Sequence, residues 1–202
     1  RKTTAYHEAG HALVAWLIPG SDPVTKVTII PRGRALGVTF YTPQEERHNH
    51  SKKQLEDRLC HAMGGRAAER LVFQHLTTGA ANDLEQATNI ARSMVTRYGM
   101  DAKLGHATYA AEHPSFLGAP PAATGETYSD ETVAAIDAAV RRIVEDAFAR
   151  ASALLTRYRD VLERGAAQLL DRETLDQADL ERLRADLESR GSEPASAPGR
   201  SA

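Results

Sequence analysis

Residues 7–11 read His-Glu-Ala-Gly-His, and they lie within a run (residues 2–18) whose apolar positions Tyr6, Leu13, Val14 and Leu17 fall at helical spacing. Four residues of α-helix rotate about 400°, so His7 and His11 project from one face, a single turn apart. Two imidazoles at that spacing reach one Zn²⁺ at about 2.0–2.1 Å each. Glu8 follows the first of them, offset around the helix toward the place of a metal-held water. Zinc brings the pKa of such a water to about 7. A neighbouring carboxylate then takes its proton during attack on a peptide carbonyl and passes it to the leaving amine. The competing reading is polar surface. Ala9 and Gly10 are small and Leu13 and Val14 apolar, which marks this helix as buried. Pro19-Gly20 stops it.

The rest of the chain reads as mostly helical with a small β element. Val24–Ile30 and Leu36–Tyr41 alternate in the manner of two short strands around the Pro31–Arg34 loop, and Pro43–His50 is a hydrophilic loop. Ser51 and Gln54 form a capping box that opens one helix to about His75, with Leu55, Leu59, Met63, Ala67 and Leu71 along a face. The Gly64-Gly65 pair weakens that helix by roughly 1 kcal/mol per residue, so a close approach by another backbone is the reason to keep it. Thr77–Ala81 is a turn, and Asn82 with Glu85 caps a helix ended by Gly99. Ser129-Asp130-Glu131 starts a long helix through Val133, Ile136, Val140, Ile143, Val144, Ala147, Ala151 and Leu154, followed by helices at about 159–170 and 176–189. The expected organisation is a 1–111 core carrying the His7–His11 helix, a Pro/Gly-rich loop at 112–128, a C-terminal helical lobe at 129–189 and a disordered tail at 190–202.

A formal net charge of −2 and few aromatic residues give no reason to expect nucleic acid as a partner. With one cysteine, Cys60, no disulfide forms within the chain, and its place beside Leu59 and Met63 suits packing. No run approaches the roughly 20 apolar residues of a membrane span. The first residue already lies inside a helical pattern, so the chain is expected to be a soluble fragment of a longer protein.

A catalytic zinc takes a third protein ligand and keeps one open position. In metzincins the continuation places Gly and His at positions 14 and 17, where Val14 and Leu17 stand, so that class is excluded. Two carboxylates remain. Glu69 sits in a helical Gly65–Glu69 segment of the kind that completes a His₂Glu site. Asp83 follows Asn82 in a first helical turn, where an acidic residue also suits the helix dipole. Spacing leaves both open. The six other histidines (His48, His50, His61, His75, His106, His113) read as structural or surface residues.

Four segments in this order, His7–His11, Met63–Glu69, Thr77–Leu84 and Met94–Gly99, resemble the peptidase domain of the FtsH family of membrane-bound, ATP-dependent zinc proteases (peptidase family M41). The similarity covers roughly residues 1–188. It implies a mainly α fold, a helical zinc-peptidase domain with a small β-hairpin and a C-terminal helical lobe. It also implies one Zn²⁺ per chain held by His7, His11 and Asp83, with Glu8 as base and Glu69 orienting a ligand histidine. Glu69 stays as the alternative ligand. Two departures stand out: Arg70 replaces a common second glutamate, and Gln74 a frequent glycine.

Further implications of the resemblance are an AAA+ motor upstream, six subunits in a ring, and anchoring in the inner (plasma) membrane through missing N-terminal segments, with the peptidase facing the cytoplasm. The substrates would be unfolded or membrane proteins. This chain holds no Gly-x-x-x-x-Gly-Lys-Ser/Thr loop, so ATP enters only through that motor. A peptidase also holds its substrate extended, and the strand around Val38, Thr39 and Phe40 offers an edge for β-addition. The alternative is that these strands only cover the core.

Overall fold

The first helix, α1 (Lys2–Leu17), is buried without interruption from His7 to Ala15. A helix buried on every side needs neighbours on every side, which makes α1 the axis of the molecule. The computed structural model describes residues 1–19, 21–31, 33, 36–42, 49–109 and 128–191. Most of the loop expected at 43–50, all but Tyr128 of the 112–128 linker, and the tail beyond 191 lie outside the described residues.

The helix expected over 51–75 is two. Helix α2 (Lys52–Ala62) opens with the Ser51–Gln54 capping box and gives way at Met63 to α3 (Gly64–Phe73). Met63 has ψ −7, well away from the helical value of about −42°. The hydrophobic period runs on across this joint, so the sequence pattern does not reveal it. The turn lets α3 lie directly on α1. A Cβ at Gly64 would stand 2.9 Å from the Gly10 carbonyl oxygen, and a Cβ at Gly10 would stand 2.5 Å from that of Gly64. Gly64 therefore has the close backbone neighbour that the glycine pair called for, whereas Gly65 faces the His7 ring.

After a 3₁₀ turn (Thr78–Ala80), α4 (Ala81–Thr96) begins earlier than expected. Its N-cap is Ala80, so Asn82 lies inside the first turn and the Asn82–Glu85 capping box does not form. The preceding 3₁₀ turn already carries the chain into helical geometry, which leaves the cap no work. Gly99, at φ 59, lets the Met100 N–H reach back to the Met94 carbonyl at 3.0 Å.

Helix α5 (Asp130–Arg157), with the Ser129 side chain accepting from the Thr132 N–H, crosses α2, α3 and α4. Helix α6 (Arg159–Arg172) packs on α1, and α7 (Gln177–Gly191) on the sheet. Leu13, Leu59, Met63, Met94, Leu155, Leu162 and Leu169 belong to one continuous core, with Cys60 fully buried beside them as a free thiol.

The sheet is antiparallel, in the order β2–β1–β3. Its strands β1 (Val24–Thr28) and β2 (Val38–Tyr41) are shorter than expected, and β3 (Thr174–Leu175) was not foreseen. Two residues carry no readable alternation; β3 exists because Val27 pairs with Leu175 and Thr28 with Thr174. Strand β2 lies at the end of the sheet, beside α1.

Candidate metal centre

Burial and local hydrogen bonds aim both histidines of α1. The Nδ1–H of His11 donates to the His61 backbone carbonyl at 3.0 Å, and Nδ1 of His7 faces Glu69 Oε1 at 2.7 Å. A carbonyl accepts only, so Nδ1 of His11 carries its proton and Nε2 is the atom left for a metal. The carboxylate does the same for His7. Both Nε2 atoms then face each other at 3.1 Å, and Asp83 Oδ2 closes the triangle at 3.1 Å from His7 and 3.4 Å from His11.

Two imidazole nitrogens and a carboxylate oxygen meeting at one point need positive charge between them. The ligand atoms lie within 4.8 Å of one another. Tetrahedral zinc with bonds of about 2.0–2.1 Å separates its ligands by roughly 3.3–3.4 Å, close to these spacings. Without a cation between them, a proton on His7 meets the same demand. Burial works against a charged His7, but the hydrogen bonds of Asp83 and Glu69 outweigh it and hold its pKa up at about 9. For Asp83, burial acts upward, and the bonds to His11 and His7 carry it well below the carboxylate range. The donor set fits zinc, of the His₂-carboxylate type.

The two carboxylates that spacing left open occupy different places. Asp83, in the first turn of α4, lies on the Nε2 side of both rings. Glu69, only 1% exposed, meets the opposite nitrogen of His7. Its other oxygen accepts from the Thr77 backbone N–H at 3.2 Å and the Thr77 hydroxyl at 2.9 Å. Despite burial, the bonds from His7 and Thr77 keep Glu69 ionised below its ordinary range. A Cβ on Gly65 would come within 2.4 Å of His7 Nε2, so α3 also shapes the space that the ring occupies.

Glu8 is buried beside His7, and its Oε2 accepts from the Thr39 hydroxyl at 2.6 Å. Thr39 thus faces α1, whereas Val38 and Phe40 alternate to the other side of β2. His61 was read as structural or surface. It lies within the site: its carbonyl holds His11, its ring stands 5.8 Å from that of His11, and its Nε2 is 2.6 Å from the Tyr41 hydroxyl. Burial, with His11 adding to it, pushes the His61 pKa down to about 3, so the ring is neutral. No short-range pattern pointed to His61, because its role depends on α2 crossing α1. Arg70 turns away and lies over the Phe148 ring.

A mainly helical domain with an HExxH helix and a converging carboxylate defines a zinc-metallopeptidase class. The model of peptidase family M41 matches residues 1–183, and the chain belongs to that family. It is 51% identical over 185 residues to a protein of Rubrobacter xylanophilus named ATP-dependent zinc metalloprotease FtsH, covering 91% of this chain and 28% of that protein. Proteins of the same name in Mycobacterium tuberculosis strain H37Rv (48% over 191 residues; 94% and 25% covered) and Magnetococcus marinus (50% over 186; 92% and 28%) are also similar. The chain spans about a quarter of the length of these curated relatives.

Proposed function

We propose that this chain is the proteolytic module of an ATP-driven, membrane-anchored zinc protease that degrades unfolded or membrane proteins. The observation that carries the reading is the convergence of His7 Nε2, His11 Nε2 and Asp83 Oδ2, with the buried Glu8 following His7 on the same helix. His7, His11 and Asp83 hold one Zn²⁺, and Glu69 orients His7 through Nδ1. When bound, zinc supplies a Lewis acid that polarises the scissile carbonyl and acidifies water to a pKa of about 7. Glu8 accepts a proton from the attacking water and returns it to the leaving amine nitrogen. Glu8 is buried, its carboxylate lying against Gly37 and the Thr39 hydroxyl of β2, which keeps bulk solvent away from it.

An extended polypeptide adds to β2, which ends the sheet among the described residues, held by main-chain hydrogen bonds that read no particular side chain. Proline at Val38 or Phe40 is expected to cut cleavage of unfolded protein while zinc stays bound. The names of the relatives supply ATP dependence. A motor outside this chain, a six-subunit ring and anchoring in the inner membrane with this domain on the cytoplasmic side complete the proposal. Among the described residues no helix is long and apolar enough to cross a membrane.

The test is casein degradation together with metal analysis. The chain should bind one zinc and hydrolyse unfolded casein, and Glu8→Gln should lower the rate at least about 100-fold with zinc retained. Equal rates in the two forms, or no hydrolysis by the zinc-loaded native chain, would leave a structural or assembly role for the metal site.

A further inference from the structure

We propose that Thr39 is a positioning residue that links the seating of a peptide strand on β2 to the aim of the Glu8 carboxylate. The inference rests on the peptidase reading above and deepens it. The Thr39 hydroxyl is 2.6 Å from Glu8 Oε2, within the short range typical of O–H donors on an ionised carboxylate. The other oxygen is confined as well. A Cβ built on Gly37 would lie 2.7 Å from Glu8 Oε1 and 2.8 Å from Glu8 Cγ, so the carboxylate sits against the chain at 37 with no room for a side chain there.

Positions 37 and 39 are two apart, the period at which an extended chain presents the same face. That face grips Glu8, and the strand that carries it ends the sheet, in the order β2–β1–β3. A peptide hydrogen-bonded along β2, which ends the sheet among the described residues, restrains the same backbone that carries the Thr39 hydroxyl. Glutamate has three rotatable side-chain bonds, and the hydroxyl selects among their rotamers. Substrate seating and base orientation therefore share one strand. A purely architectural Thr39, tying β2 to α1, would show up in stability and not in turnover.

The experiment compares the native chain with Thr39→Val, Thr39→Ala and Thr39→Ser, each zinc-loaded. Substrates are a quenched fluorogenic peptide of about ten residues, able to lie along β2, and a dipeptide amide too short to do so. The expected result is a kcat about tenfold lower for Thr39→Val and Thr39→Ala on the long peptide, with KM, zinc content and melting temperature close to native. Thr39→Ser, which keeps the donor, restores most of the rate. The rate advantage of the long over the short peptide shrinks in the Val and Ala forms. An unchanged kcat in both, a loss that follows melting temperature or zinc content, or no recovery with serine overturns the role of Thr39. If the zinc-loaded native chain cleaves neither peptide, or Glu8→Gln cleaves as fast as native, the peptidase reading fails and this inference fails with it.

Discussion

Glu69 Oε1 stands 2.7 Å from Nδ1 of His7, although 62 residues separate them in the chain. Asp83 Oδ2 stands 3.1 Å from the opposite nitrogen of the same ring. One imidazole is thus held between two carboxylates, one on each nitrogen, and the two are expected to respond differently to substitution. Glu69→Gln keeps an acceptor for the Nδ1–H and should weaken zinc binding about tenfold; Glu69→Leu removes it and should approach about 100-fold. Asp83→Asn should empty the site, with the zinc content of each variant measured after dialysis against a chelator. Zinc retained by Asp83→Asn and lost from Glu69→Gln would reverse the ligand assignment.

The crossing of α1 and α3 makes a second, opposing pair of effects measurable. Alanine in place of glycine inside a helix gains about 1 kcal/mol from propensity alone. At Gly10 the added Cβ meets the Gly64 carbonyl at 2.5 Å, a backbone atom that cannot swing aside. Overpacking of that kind costs about 1–3 kcal/mol, so Gly10→Ala should be destabilising in urea titration. Gly65→Ala has a different target. Its Cβ would meet the His7 ring at 2.4 Å, and zinc affinity should fall by more than stability does.

Gln74 ends α3 in the left-handed region at φ 57, where glycine carries no Cβ penalty. The conformation costs a side-chain-bearing residue about 1–2 kcal/mol, and glycine returns about 0.5–1 kcal/mol of that as chain entropy. Gln74→Gly should therefore raise stability by about 0.5–1 kcal/mol, with zinc content unchanged. A lower urea midpoint would contradict the strain argument. The departure noted at position 74 thus coincides with a strained cap.

Asp57 joins α2 to α5 through Arg150 at 2.6 Å and also accepts from Lys53 at 2.8 Å. Burial is the largest single influence and raises its pKa, but the bonds and charges of Lys53 and Arg150 together outweigh it, so its folded pKa lies below the ordinary value. A depressed carboxylate contributes stability above its unfolded pKa of about 4 and loses it as pH falls through the lower folded value. Solvent screening limits the Arg150 contribution to about 0.5 kcal/mol. Arg150→Met should cost about that much at pH 7, and the gap to native should close as acid protonates Asp57. A gap that persists at pH 2 would mean Arg150 acts through packing.

The helix bearing His7 and His11 was legible because its geometry is local: four residues make one turn whatever surrounds them, and the small residues at 9 and 10 marked it as buried. The Ser51 cap and the long helix from Asp130 were readable for the same reason. Tertiary structure alone decided the joint at Met63, the two-residue strand at Thr174–Leu175, and the contact of Thr39 with Glu8 across 31 residues. It also separated Asp83 from Glu69, which spacing left equivalent and only the resemblance ranked. Which nitrogen of His7 each carboxylate meets depends on how α3 and α4 lie against α1, and that is set by packing among side chains far apart in the chain.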